Sequence, residues 1–397
     1  MSSKVAVIGE VFSPNLGDGV IADCMGLLVE RAGAEPVHVD LSGKSEWSDS
    51  YTIRTAGMAP VVRRAARAMI PTSVRASMRE REWLRGTHND LAARVASASR
   101  ECDAAIIGGG QLLIDNMLRF PMKIRSACAG LRDSGITKVA ILGCGVGHQW
   151  SGRAKSILNE AFESMDLVWV GVRDPKSCDV IRGVLPNHSD RAHWSTDVAV
   201  WSDEAYKLAP ADPDSDRTLV GIGIIDPRNA LGKIVSDDDP RITKLIDGWV
   251  RVIRGLEARG HKVALFSNGD PEDHGFAERI AGSCASAELK ARPERPDQLV
   301  GQIAGFGSVI AHRLHANIIA YALRVPSLPL VWDKKVEGFA KITDRADLCL
   351  QRENQSPDEI LAAHSRVLER GFSIDNWTSN REHTTSHVRE VIDLLTT

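Results

Sequence analysis

The stretch Val309-Ile310-Ala311-His312-Arg313-Leu314-His315 sets a guanidinium two residues from an imidazole, where an apolar run gives way to helical periodicity. Two residues apart in chain that is still extended share one side. A cation beside a proton-carrying ring at a helix N-terminus suits an anion that must also receive a proton. Arg313 and His315 are therefore the first candidates, and His312, one step out of phase, reads as structural. An Arg-x-His triplet is common by chance; its place at a strand-to-helix turn singles it out.

Other segments share that strand-to-helix character. In Val170-Gly171-Val172-Arg173-Asp174, Arg173 falls at the carboxyl end of an apolar run, and Asp174-Pro175 starts a helix well. Arg173 either meets a ligand or pairs with Asp174 or another acid. Gly108-Gly109-Gly110 follows the run Ala104–Ile107, and a glycine run there frees backbone amides to meet an anion. Gly109 and Gly110 are its candidates. Asp115, five residues on, either faces the same place or is a surface acid. In Asn15-Leu16-Gly17-Asp18-Gly19 the glycines allow close backbone approach to a ligand, and Asp18 is either a ligand contact or a cap for the helix that follows. Gly143-Cys144-Gly145-Val146-Gly147 has the wrong spacing for a dinucleotide loop, and no acid follows at the expected offset, so a nicotinamide site is rejected. No cluster of carboxylates suggests a metal, and none is expected.

The elements that must position these residues alternate. Candidate strands are Lys4–Gly9, Pro36–Leu41, Ala104–Ile107, Lys138–Leu142 and Leu167–Gly171, with helical patterns such as Val20–Ala32 and Ala154–Ser164 between them. Strands alternating with helices imply a parallel sheet covered on both faces. The pattern lapses over Asp203–Arg217, which reads as a linker, and then resumes. Thr218–Ile224, Lys262–Ser267, Ser308–Ala311 and Pro326–Leu330 read as strands, and Ile242–Arg259, Pro271–Ser283, Pro296–Ala304 and Leu314–Leu323 as helices. The expected fold is α/β: two doubly wound Rossmann-like domains facing across a cleft in a GT-B-like arrangement. Their spans are 1–205, with an Arg-rich helical insertion at about 54–100, then 216–372, then a helical tail at 373–397. Ligands of such sheets bind beyond the carboxyl ends of the strands.

Composition bounds the classes. The chain has 397 residues, 43% hydrophobic and 25% charged, with a formal net charge of −3. That balance is globular, the length fits two domains, and the charge argues against nucleic acid as partner. The apolar run after Lys4 is too short for a secretory signal core, and no stretch approaches a membrane span, so a cytoplasmic protein is expected. Seven scattered cysteines without a CxxC pair argue against a zinc site and fit reduced thiols. Asn187-His188-Ser189 matches a glycosylation sequon that a cytoplasmic chain would not use. Residues 54–100 hold ten arginines and three acids. They read either as a solvated helical insertion or, with Arg63, Arg64 and Arg67 at helical spacing, as a patch for anionic lipid headgroups at the inner face of the membrane or for a lipid-diphosphate acceptor.

In this order these landmarks resemble the polysaccharide pyruvyl transferase family. The matching segments are NLGDGVIAD (15–23), IIGGGQLLID (106–115), LGCGVG (142–147), VGVRDPKS (170–177), STDVAVW (195–201) and VIAHRLHANIIAYALRVPSLPLVWDKKVEGFAKI (309–342). The last is the most specific, with Arg313-Leu314-His315 opening a helix, then Val325-Pro326, Lys335 and Phe339. The chain departs where the family usually continues its glycine loop with Pro and often has Gln; here Cys144 and His148 stand.

The resemblance implies a transferase that moves pyruvate from phosphoenolpyruvate onto two hydroxyls of one sugar as a ketal, during polysaccharide biosynthesis for the cell envelope. It implies no cofactor beyond the phosphoenolpyruvate donor, and a sugar, oligosaccharide or lipid-linked glycan as partner. Arg173 and Arg313, with Lys335 as a weaker third, would meet the donor's carboxylate and phosphate. His315 would deliver the proton and Asp115 would take one from a hydroxyl. Two other readings stay open: a GT-B glycosyltransferase using a nucleotide sugar, for which Glu337 is an available acid, and a non-catalytic sugar-phosphate binding protein.

Overall fold

The computed structural model describes residues 2–47, 72–209, 218–228 and 239–397. The expected linker lies partly outside them, and the Arg63–Arg67 segment wholly so.

The chain divides into two compact units, and the division is not contiguous. The first comprises Met1–Phe12, Met25–Ser195 and Thr385–Thr397; the second comprises Ser13–Cys24 and Thr196–Thr384. The loop Asn15–Gly17 thus belongs with the second unit, although β1 before it belongs with the first.

The first unit holds the strands β1 (Lys4–Gly9), β2 (Glu35–Asp40), β3 (Ala104–Gly108), β4 (Lys138–Cys144), β5 (Asp166–Val172) and β6 (Ala192–Trp194). They form one parallel sheet in the order β2-β1-β3-β4-β5-β6. β3 and β4 are buried almost throughout, as expected of strands covered on both faces. The chain winds outward from β1 to β2 and then restarts at β3 on β1's other side. The loops after β1 and β3 therefore flank the switch point, where open α/β sheets bind ligands.

Helices α1 (Gly17–Arg31), α2 (Thr72–Arg85), α3 (Thr87–Ala98), α4 (Arg119–Asp133), α5 (Gly152–Glu163) and α6 (Pro175–Val184) follow in chain order. The described part of the Arg-rich segment is helical, and α3 within it is packed rather than solvated. Leu91 and Val95 of α3 join the core of the first sheet. Gly130 of α4 makes room for them, because a Cβ there would lie 2.3 Å from the Ala92 carbonyl oxygen. On α2, Glu80 pairs with Arg153 and lies 3.6 Å from Arg125, both outside the segment.

The second unit holds β7 (Leu219–Gly223), β8 (Lys262–Phe266), β9 (Glu288–Leu289), β10 (Ser308–Ala311) and β11 (Ser327–Pro329). They are parallel in the order β11-β10-β7-β8-β9, so the switch point falls between β7 and β10. Its helices are α7 (Pro240–Glu257), α8 (Pro271–Ser283), α9 (Pro296–Ala304), α10 (Leu314–Ala322), α11 (Lys334–Ile342), α12 (Pro357–Arg370) and the first part of α13 (Ile374–Thr396), which passes into the first unit at Thr385. Four of these start on Pro at a first helical position behind a residue in extended conformation: Asp239, Asp270, Arg295 and Ser356. No helix among the described residues is long and apolar enough to cross a membrane.

Candidate functional site

In the second unit, β10 ends at Ala311 and α10 begins at Leu314, so the Arg-x-His triplet sits on the turn itself. Arg313 is extended (φ −70°, ψ 127°), and His315 is already in the first helical turn and only 7% exposed. Asn317 holds the turn from below. Fully buried, it donates its side-chain N–H groups to the Ala311 carbonyl at 3.0 Å and the Arg313 carbonyl at 3.1 Å.

Arg313 does not project alone. Its Nε donates to Asp273 Oδ2 at 2.7 Å, and a terminal nitrogen reaches the same oxygen at 2.6 Å. Asp273 is fully buried in the first turn of α8, and its other oxygen accepts from the Asp226 amide at 2.8 Å. Burial pushes the Asp273 carboxyl up to about 6 despite the opposing pull of Arg313. Asp270, which caps α8 through the Glu272 amide, is 3.8 Å from the same guanidinium. Arg313 is thus oriented by acids at the N-terminus of α8, partners that the sequence did not signal.

His315 is fixed from another side by the Asn15–Gly17 loop. A Cβ built on Gly17 would fall 2.0 Å from His315 Nδ1 and 2.5 Å from His315 Cβ. Leu16 anchors the loop, its amide donating to the Asn268 carbonyl at 3.0 Å. Gly269, at φ +98°, leaves room for Leu16, whose Cγ would lie 2.6 Å from an added Cβ. The close approach that Gly17 makes is to the imidazole. Asp18 stands in the first turn of α1 and accepts from Asn15 Nδ2 at 3.4 Å, a local contact at the helix start. Beside this loop, Asn268 is 1% exposed, and neither its side-chain oxygen nor its nitrogen has a hydrogen-bond partner among the described residues.

Lys335 lies in the first turn of α11, 3.5 Å from Asp333, with its ammonium 5.0 Å from the Trp332 ring centre. Arg313 lies 5.9 Å from the same ring. Trp332 thereby links two of the predicted cations. Glu337 faces Lys341 one turn on and is held by it.

In the first unit, Arg173 follows β5 and is 7% exposed. Its guanidinium lies flat against Gly145: a Cβ there would be 2.6 Å from a terminal nitrogen and 2.9 Å from the central carbon. The Arg173 amide donates to the Cys144 carbonyl at 3.1 Å. Asp174 caps α6 by accepting from the Ser177 amide and hydroxyl. The glycine loop that is not a dinucleotide motif is thus a seat for Arg173. Cys144 belongs to the core of the sheet.

The glycine run after β3 corrects one expectation. Gly109 (φ +82°) and Gly110 (φ +61°) form a left-handed turn, but the Gly109 amide donates to the Leu142 carbonyl at 3.1 Å and so is not available to an anion. The Gly110 carbonyl accepts from Gly145 at 2.8 Å, tying this loop to the seat of Arg173. Asp115 is engaged as well. Its Oδ1 accepts from the Leu118 amide at 2.8 Å and its Oδ2 from the Ser151 amide at 2.9 Å. It braces Asn116, Met117 and Leu118, three consecutive non-glycine residues at positive φ (39°, 53° and 69°). Such a run costs about 1–2 kcal/mol per residue, and the Asp115 bond across it offsets part of that. A carboxylate has about four lone-pair sites, so two remain for another donor.

Known proteins bear on this geometry in two ways. Among similar solved structures are a UDP-N-acetylglucosamine 2-epimerase from Methanocaldococcus jannaschii, 9% identical, covering 98% of this chain and 99% of that one at a TM-score of 0.58, and one from Rickettsia bellii, 9% identical, covering 100% and 98% at 0.55. A third, from Neisseria meningitidis and bound to UDP-GlcNAc, is 8% identical and covers 99% and 98% at 0.53. At such identities they establish the fold, two Rossmann-like domains of the GT-B type. No curated protein matches the sequence. The family model for polysaccharide pyruvyl transferase matches residues 15–334, from the loop that abuts His315 to the start of α11. The chain is a member of the polysaccharide pyruvyl transferase family.

Proposed function

We propose that this protein transfers pyruvate from phosphoenolpyruvate to two hydroxyls of one sugar, forming a ketal on a polysaccharide or glycoconjugate precursor. The observation that supports this best is the turn at Arg313-Leu314-His315: an imidazole walled in by Gly17, two residues from a guanidinium oriented by Asp273.

The reaction needs a proton on the donor's methylene carbon. His315 supplies it, which makes the adjacent carbon oxocarbenium-like. One sugar oxygen then bonds to that carbon and gives up its proton, with Asp115 as the proposed base. Phosphate departs with the C–O bonding pair, and the second hydroxyl closes the ketal as its proton is lost. One proton is consumed at carbon and two are released from the hydroxyls; phosphate keeps one, so the balance closes without a cofactor. Arg313 and Arg173 are the proposed partners of the donor's two anionic groups, with Lys335 in support.

Incubation with phosphoenolpyruvate and candidate acceptors, followed by phosphate release and product mass, tests the reading. A pyruvylated product supports it. Glycosyl transfer from a nucleotide sugar, with no use of phosphoenolpyruvate, would replace it with the GT-B glycosyltransferase alternative. Binding without turnover of either donor would leave a sugar-phosphate binding protein.

The seat of Arg173 gives a sharper test. Gly145→Ala is expected to push the guanidinium aside, because its flexible end is what an added Cβ would meet. Donor affinity should fall about as far as in Arg173→Lys, where a planar fork is replaced by a single ammonium, a loss of about 1.5–3 kcal/mol per charged hydrogen bond. Arg313→Lys should behave likewise. Calorimetric titration with phosphoenolpyruvate checks all three; unchanged affinity in Gly145→Ala and Arg173→Lys would move the donor's anion site away from Arg173.

A further inference from the structure

A cavity of about 520 Å³ opens in the second unit. Ile225 and Pro227 after β7, His312 after β10 and Trp332 after β11 line it, so it lies at the switch point of that sheet. The volume is that of a small-molecule site. Its lining has two chemical parts. Trp249, Phe276 and Trp332 provide aromatic surface, and Arg241, Lys244, Arg251 and Arg352 provide positive charge. Among the described residues no Asp or Glu lines it. Arg241 is held by Asp239 at 2.7 Å. Lys244, Arg251 and Arg352 have no carboxylate within ion-pair distance among the described residues, and they are exposed.

Three cations without a matching acid among the described residues call for more than one negative charge, and the aromatic surface calls for an apolar or planar body beside it. Phosphoenolpyruvate has the charge but not the body. The wall also carries polar atoms without partners among the described residues. His312 Nε2 faces Gln355 Oε1 at 3.2 Å, while its Nδ1 and the Trp332 Nε1 are buried and unbonded. Trp332 is shared: it lines this cavity and lies within 6 Å of both Arg313 and Lys335.

We infer that this cavity binds the carrier end of the acceptor: a diphosphate on Lys244, Arg251 and Arg352, joined to an apolar or planar body on Trp249, Phe276 and Trp332. The diphosphate could belong to a lipid-borne or a nucleotide-borne sugar; both present the same chemistry. The inference rests on the pyruvyl-transfer reading only in calling the ligand an acceptor.

Gly248 supplies a clean test. It lines the cavity from α7, and a Cβ there would meet nothing within 4 Å. Gly248→Ala should therefore fold and bind normally, while Gly248→Phe fills the space. Wild type and variants are titrated with geranyl diphosphate, UDP and inorganic diphosphate, read by tryptophan fluorescence. Geranyl diphosphate or UDP should bind about tenfold or more tighter than inorganic diphosphate, which lacks the body. Tighter geranyl diphosphate identifies a lipid carrier, and tighter UDP a nucleotide one. Gly248→Phe, and separately Arg251→Glu with Arg352→Glu, should each weaken binding by about tenfold or more. Saturating phosphoenolpyruvate should leave that binding in place. Unaltered binding in Gly248→Phe, no preference over inorganic diphosphate, or competitive displacement by phosphoenolpyruvate would overturn the inference. Phosphate release is assayed separately: carrier binding without pyruvyl transfer would sink the reaction and leave this site standing.

Discussion

His315→Ala is expected to lower turnover by about a hundredfold to ten-thousandfold, the usual contribution of a positioned acid, while phosphoenolpyruvate still binds. The imidazole is nearly buried, at the first turn of α10, and Gly17 leaves no gap beside it. A loss confined to turnover separates this role from donor binding, because Arg313 keeps its own support from Asp273. Single-turnover phosphate release, measured beside donor titration, reads the two separately. His315→Gln keeps much of the shape but cannot carry the proton, so it should be as slow as alanine. Near-normal rates in either variant would remove His315 from the chemistry. Gly17→Ala should produce a similar defect without touching the ring's chemistry, since an added Cβ would overlap the His315 ring and its Cβ.

Arg381→Ala is expected to cost about 3–5 kcal/mol of stability, the range for breaking a buried ion pair by removing one partner. Arg381 lies on α13 and donates to both oxygens of Asp203, at 2.8 and 2.7 Å, and to Glu204. Its guanidinium is 3.8 Å from the ring centre of Trp201 and 4.1 Å from that of Trp377. Asp203 is 2% exposed, and burial pushes its carboxyl above the usual range even with Arg381 present. Without Arg381 the acid should be raised further. A raised folded-state pKa means that stability is greatest at acid pH and is lost as pH rises through that pKa. The variant should therefore recover part of its deficit on acidification, and Arg381→Met with Asp203→Leu should recover more, because no buried charge is left unpaired. Denaturant midpoints across pH measure this; a deficit below about 1 kcal/mol would place the pair among surface contacts.

Most elements were legible because their signal is local. β1 and β10 match the apolar runs read for them, and α8 and α9 match the predicted spans, since Pro at the first helical position marks the start. β6 and β9 were not legible: three and two residues carry no periodicity, and they are strands only because a neighbouring edge completes their hydrogen bonds. The Arg-rich composition of 54–100 misdirected the reading of α3, whose Leu91 and Val95 are core residues; arginines on a helix say little about its other face.

The candidate residues followed the same division. That Arg173, Arg313 and His315 sit just past the carboxyl ends of parallel strands was readable from the change of period along the chain. What each of them touches was not. The seat of Arg173 on Gly145, the hold of Asp273 on Arg313, the approach of Gly17 to His315 and the engagement of both Asp115 oxygens join segments that have no pattern in common. By itself the sequence determined the alternation of elements, the strand ends that carry the candidate residues and the family pattern, because burial and helix initiation act over a few residues. Only the tertiary structure decided the partners, because strand order brings distant loops to one sheet end, and a charge there takes whichever acid or amide the order supplies.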